Sequence, residues 1–274
     1  MKIKVIVFLL FLPIYASVAG TKNTIMVTAA TGELGQAICE QLAFKGNNLV
    51  IAGRNPEKIE ALKKSLNSKY KEIQVQSIHI DFSDTKTIED AAKIVSQNSL
   101  KGIVLIGPRP LLSREGIPDK GKWAKVFEET FIAPLEVVRS FQPHLQNNGS
   151  IVIISGNSSK NYLPSYPNTN VIRLAWTGEI KNLMHFFGER KIRVNAISPG
   201  VILTNHHIER ITAKAASNKV TFEEQLAKDT AAIPLKSYGK PDDVGNLVSF
   251  LLSTKSDHLN GTNIVLDGGE SNAY

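Results

Sequence analysis

Two glycines three residues apart, Gly32 and Gly35, sit in the run T-A-A-T-G-E-L-G, just after the short β-branched stretch Thr24 to Thr28. Ile38 and Leu42, with Phe44, follow at a spacing that reads as the buried side of a helix. Strand, glycine turn and helix N-terminus bring unpaired N–H groups and the positive end of a helix dipole to one place, which is the chemistry of holding a pyrophosphate. Such turns also join strands to helices for steric reasons alone, so a nucleotide site and a plain connection both stay open at this point. Other reactive residue types are sparse. The single cysteine, Cys39, falls in the first helix with no metal-ligand spacing around it and reads as a small core residue. The six histidines, His206 and His207 among them, lack a Cys, Asp or Glu at ligand spacing, and Glu209 alone is insufficient; no metal site is expected and they read as surface or core residues.

Hydrophobic patterning supplies the scaffold that would position these groups. Asn48 to Ala52 reads as a buried strand closed by G-R-N-P at 53–56, and Pro56 suits the first turn of a helix carrying Ile59, Leu62 and Leu66. Ile73 to Ile80 is the next strand, ending at Asp81-Phe82, and Ser83 or Asp84 can cap a helix with Ile88, Ala91, Ala92 and Val95 on one side. Gly102 to Ile106 leads into G-P-R-P, where Pro108, Pro110 and Pro118 predict an extended loop. A long helix is predicted over Trp123 to Leu145, kinked or locally irregular at Pro134. Strand Ser150 to Ile154, a polar loop, a helix over about Asn168 to Phe187 and strand Ile192 to Ser198 follow. Val201 to Pro234 is the least regular stretch and a candidate helical lid. A helix opened by Pro241 and a last strand, Thr262 to Leu266, complete the order. Apolar strands separated by helices predict an α/β fold: a doubly wound parallel sheet of about seven strands, helices on both faces, ligands at the strands' C-terminal ends. No linker or repeat divides residues 22–274, which are expected to form one domain.

Composition excludes some partners. With 42% hydrophobic and 21% charged residues in 274, the chain suits one large globular domain rather than a disordered one. The net charge is +7, of which Lys2 and Lys4 belong to the first residues, leaving +5 for the remainder. Those charges are scattered, with no run of five alike, so no nucleic-acid partner is expected. Lys2 and Lys4 precede the apolar run Val5 to Leu12, Pro13 and the small-residue tail A-S-V-A ending at Ala19. That order reads as a secretory signal peptide cleaved after Ala19, as an uncleaved membrane anchor, or as an extra buried strand or misassigned start. The first two imply export (periplasmic or secreted) or anchoring at a membrane; the last leaves a cytoplasmic protein.

Four segments then carry a family resemblance: T-A-A-T-G-E-L-G at Thr28 to Gly35, A-G-R-N at Ala52 to Asn55, V-N-A-I-S-P-G at Val194 to Gly200 and G-T-N-I-V-L-D-G-G at Gly261 to Gly269. In that order and separation the chain resembles the short-chain dehydrogenase/reductase family, especially 3-oxoacyl-acyl-carrier-protein reductases, over nearly everything from Lys22 onward. The resemblance implies a Rossmann-type domain holding a nicotinamide dinucleotide. It assigns Thr28, Gly32 and Gly35 to the cofactor turn, with Ala29 in place of the first glycine and Glu33 unexpectedly beside it. Arg54 falls where the family reads the adenosine ribose, with Gly53 in place of an acid; a guanidinium pairs with a 2′-phosphate, so NADP(H) is expected over NAD(H). Asp81 and Phe82 match the pair bordering the adenine. Pro199 and Gly200 match the nicotinamide-side turn, with Val201 and Ile202 near the carboxamide and Thr204 near the pyrophosphate. Leu105-Ile106-Gly107 stands where the family has Asn-Asn-Ala-Gly. The helices near Trp123 to Leu145 and Asn168 to Phe187 resemble those through which the family forms homodimers and homotetramers.

The catalytic positions depart furthest. The resemblance implies a tyrosine that moves the proton, a lysine four residues later that favours the phenolate, and a serine on the substrate oxygen. Here it places Thr169 at the tyrosine, Arg173 at the lysine, Gly156 at the serine and Thr130 at an assisting asparagine. None of the six tyrosines has a lysine four residues on. Arg173 can supply fixed positive charge, Ser155 can orient a carbonyl, and Tyr166 or Tyr162 can be sought as the missing acid. Two functions follow as expectations: an NADP(H)-dependent oxidoreductase of a small carbonyl or alcohol with an atypical site, or a catalytically silent binding or scaffold protein of the same fold.

Overall fold

A computed structural model describes residues 22–110, 117–164 and 166–272, so the reading of the first 19 residues and part of the loop after Pro110 lie outside it. Seven strands, β1 (Thr24–Val27), β2 (Asn48–Gly53), β3 (Val75–His79), β4 (Leu100–Ile106), β5 (Leu145–Ile154), β6 (Arg193–Pro199) and β7 (Asn263–Leu266), form one sheet. Its order is β3-β2-β1-β4-β5-β6-β7 and every pairing is parallel. The chain winds outward from β1 to β3, then crosses back to lay β4 on the other side of β1. The connections leaving β1 and β4 therefore part in opposite directions, and a crevice opens between them at the strands' carboxyl ends.

Both faces of the sheet are covered, as the near-continuous apolar strands require. Ile25, Val27, Leu49, Ile51, Val104, Val152 and Ile197 meet buried residues of α1 (Glu33–Phe44), α2 (Pro56–Lys69) and α9 (Pro241–Leu252). Met26, Val50, Ile103, Leu105, Ile151, Ile153 and Val194 meet α3 (Lys86–Lys93), α5 (Ala133–Phe141) and α6 (Pro167–Phe186). Phe44 does not join the buried side of α1; it is 70% exposed, at the last residue before the helix unwinds.

The long helix expected over Trp123 to Leu145 is broken. It runs as α4 (Lys120–Phe127), a π-helical stretch Glu128–Ile132, α5, and a short 3-10 turn Gln142–His144, and Leu145 already belongs to β5. The break follows from Pro134, which has no N–H to offer the carbonyl four residues back. That carbonyl, on Thr130, accepts instead from the indole Nε1 of Trp176 on α6 at 3.1 Å. The irregular stretch Val201 to Pro234 does hold two helices, α7 (Asn205–Asn218) and α8 (Phe222–Thr230). No helix among the described residues is long and apolar enough to cross a membrane.

Candidate cofactor and active site

The turn after β1 is shaped by its own backbone. Ala29 adopts a left-handed φ of 46°, the conformation a glycine would take without penalty, at a cost of about 1–2 kcal/mol for a residue with a Cβ. Gly35 cannot be anything larger: a Cβ there would run into the Ala29 carbonyl and lie 2.8 Å from Ala30 Cα. Gly32 differs, since a Cβ would meet nothing nearer than the Ala29 carbonyl at 3.5 Å, and the residue is exposed. It stands at the N-cap of α1 with no side chain closing the helix's first amides. Thr28 is fully buried; its hydroxyl donates to Ile106 O at 2.9 Å and accepts from Ile106 N at 2.7 Å, which fixes the ends of β1 and β4 against each other. Glu33 turns away from its own helix. Both its oxygens accept from Asn205 N, at 2.8 and 3.1 Å, and so cap α7.

On the β2–β3 side a groove of about 500 Å³ is walled by Gly32, Gly53, Arg54, Asp81, Phe82 and Arg109. Arg54 is exposed there and makes no hydrogen bond or ion pair among the described residues. The Asp81 carboxylate accepts from Ser83 N at 2.9 Å and Ser83 Oγ at 2.7 Å. These bonds, the backbone one foremost, hold it below the usual carboxylate range, with the charge of Arg54 a smaller contribution.

On the β4–β6 side a second cavity of about 440 Å³ includes Ile106, Arg109, Ser155, Arg173, Pro199, Ile202, Thr204 and His207 in its wall. Ala29, Gly32 and Arg109 line both spaces, so they form one groove passing over the glycine turn. Gly156 is extended, with φ 179°, so its glycine serves no special backbone angle. It serves space: Arg173 Nε lies 3.4 Å from where a Cβ would be. The guanidinium thus occupies the room that a side chain at 156 would claim, and Nη1 donates to Ile154 O at 3.4 Å. Burial, with the charge of Arg109 added, draws Arg173 down to about 10, still protonated near neutrality. Ser155 Oγ, Asn168 Oδ1 and Thr169 Oγ1 are buried without a partner, and of these Ser155 faces the cavity. Gly200 packs against Asp267, whose Cα would be 3.0 Å from an added Cβ.

Tyr162 is 75% exposed and Tyr166 half-buried at the start of α6; neither is part of the cavity wall. Thr130 is buried, its hydroxyl proton given to Val126 O at 2.6 Å, and it is not part of the cavity wall. Arg109 is a wall residue to which the sequence reading gave no role, and His207 is one that it read as a surface or core residue. His207 does not sit as a surface or core residue: it is half-buried and its Nδ1 lies 2.9 Å from Thr204 Oγ1. Burial, then the charges of Arg109, Arg210 and His206, hold it below its ordinary value.

Residues 29–271 match the family described as enoyl-(acyl carrier protein) reductase. The chain belongs to the short-chain dehydrogenase/reductase family. Among curated members, it is 27% identical over 260 residues to the NADPH-dependent reductase BacG of Bacillus subtilis, covering 91% of this chain and 98% of that one. It is 28% identical over 256 residues to the 3-oxoacyl-[acyl-carrier-protein] reductase FabG of Rickettsia bellii, covering 90% and 96%. In fold it resembles L-sorbose reductase from Gluconobacter frateurii, solved with NADPH and L-sorbose, at a TM-score of 0.85 and 22% identity over 93% and 98% of the two chains.

Proposed function

We propose that this short-chain dehydrogenase/reductase is an NADP(H)-dependent oxidoreductase of a small carbonyl or alcohol, working without the family's tyrosine. The observation that carries the cofactor is Gly32: nothing in the chain requires a glycine there, yet the missing Cβ opens the groove over the uncapped amides of α1. Arg54, exposed at one end of that groove and without a hydrogen bond or ion pair among the described residues, would take the 2′-phosphate. Asp81 and Phe82 would border the adenine, and Pro199, Ile202 and Thr204 the nicotinamide half. NADP(H) supplies the hydride or accepts it. Arg173 contributes a fixed positive charge where an oxyanion develops, and the unpartnered Ser155 hydroxyl a donor toward the same oxygen. A proton then comes from water, because no phenol lines the cavity.

Titration with NADPH and NADH tests the cofactor half. NADPH should bind at least about tenfold more tightly, and Arg54→Ala should erase that preference, since a charge-assisted pair is worth about 1.5–3 kcal/mol. Equal affinities, or no uptake of either, would sink the reading. A screen of carbonyl substrates tests the chemistry, with turnover lost in Arg173→Ala.

The buried, unpartnered hydroxyl of Thr169 favours a second reading, a silent binding or scaffold protein, because an aliphatic alcohol holds its proton too tightly to replace a phenol. Steady NADPH consumption by purified protein would rule that out. The reading also includes self-association through α5 and α6, and export or membrane anchoring by the first 19 residues. A nicotinamide enzyme outside the cytoplasm would lack a ready coenzyme pool, and an anchor with the domain facing inward removes that conflict. Sequencing the mature N-terminus decides between them: a start after Ala19 supports export, and an intact Met1 overturns it.

A further inference from the structure

His207 has no place in the chemistry above, yet it sits in the cavity wall beside the glycine turn. The charges around it are lopsided. Arg109, from the segment after β4, faces it, as do Arg210 and His206 on its own helix, and Arg173 from α6 shares the cavity. The carboxylate facing it is that of Glu33 at the start of α1, and both oxygens of that group are held by Asn205 N–H. An imidazole among guanidinium groups and half removed from water is disfavoured in its charged form, and burial and Arg109 both press it that way. An anion placed in the same cavity reverses the balance.

We propose that His207 senses the cofactor: it takes up a proton as the phosphates of the dinucleotide enter, so that binding and protonation are linked. The inference rests on the cofactor reading above. Thr204 makes the change inexpensive. Its hydroxyl, 2.9 Å from Nδ1, can donate to the neutral ring or accept from the charged one, so one contact serves both states and leaves Nε2 for the ligand. Ser155, with its hydroxyl buried and unpartnered in the same wall, points independently to a polar ligand in this space.

The sign follows from linkage. If the ring titrates low in the free protein and higher in the complex, affinity is flat above the higher value and strengthens as pH falls between the two. Each pKa unit separating the two states is worth tenfold. Calorimetry of NADPH binding to the full chain at pH 6, 7 and 8, in buffers of different ionisation enthalpy, reads both the slope and the protons absorbed. The cofactor's own 2′-phosphate titrates in this range, so the comparison is with His207→Gln, in which that contribution is unchanged. The wild-type protein should gain about tenfold more affinity from pH 8 to pH 6 than the variant, and absorb a fraction of a proton that the variant does not. NMR titration of the His207 ring, free and with NADPH, gives the same answer if the variant is unstable: the ring's midpoint should rise in the complex. Equal slopes and equal proton uptake in the two proteins, or an unmoved ring, would overturn the inference and leave the cofactor reading standing. Absence of NADPH binding at every pH would remove both.

Discussion

An alanine at position 35 would press its Cβ into the backbone of Ala29 and Ala30, whereas one at position 32 would meet only an ordinary contact at 3.5 Å. Gly35→Ala should therefore cost several kcal/mol, on the order of 3, or prevent folding. Gly32→Ala should leave the melting temperature near that of the wild type while NADPH affinity drops about tenfold or more. Thermal unfolding and cofactor titration on the two variants separate the effects, and equal loss of stability in both would contradict the argument. At this scale the sequence was most readable where function depends on a local string. Arg54 stands out because G-R-N directly follows a strand, and Gly32 and Gly35 because they start a helix. It was least readable where a wall is assembled from distant segments. Nothing near Glu33 announces that its partner is an amide 172 residues away, and nothing near His207 announces Arg109.

Among the elements, the broken helix carries its own test. Trp176→Phe keeps the ring that packs on Phe131 but removes the donor to Thr130 O, and a buried carbonyl left unpaired costs about 1–3 kcal/mol. Adding Pro134→Ala should recover part of that loss, because the chain regains an N–H at the position from which a helix would serve Thr130. Denaturant unfolding of the single and double variants measures it; an unstable double variant with no recovery would break the link drawn between Pro134 and Trp176. Pro134 marked a kink or irregularity in one long helix, but neither the full break into α4 and α5 nor the distant donor that settles the freed carbonyl. The reverse holds for α7 and α8. They bury few apolar side chains: α7 buries Ile211 and Ala215, and the residues that α8 buries, Gln225 and Thr230, are polar, so their periodicity is faint. The Thr221–Glu224 capping box that opens α8 is a signal in the sequence that the reading did not use.

For the molecule as a whole, a doubly wound parallel sheet of about seven strands was predictable because buried parallel strands read as apolar runs joined by right-handed crossovers, whereas the strand order came from the structure. The outer surface says something further. Leu174 and Phe186 on α6, and Ile132 just before α5, remain exposed at 62%, 65% and 48%, and Phe186 lines a hollow with Leu135, Val138 and Leu183. If the proposed self-association uses these helices, sedimentation should give a dimer or tetramer, and Phe186→Glu should shift it toward the monomer by removing apolar burial and adding charge. A wild-type monomer at micromolar concentration would refute it. Lastly, the grip of Glu33 on Asn205 ties the glycine turn to the first turn of α7, and residues of both line one cavity. A displacement of α7 away from that turn must give up both contacts, so the two walls are joined through a single carboxylate.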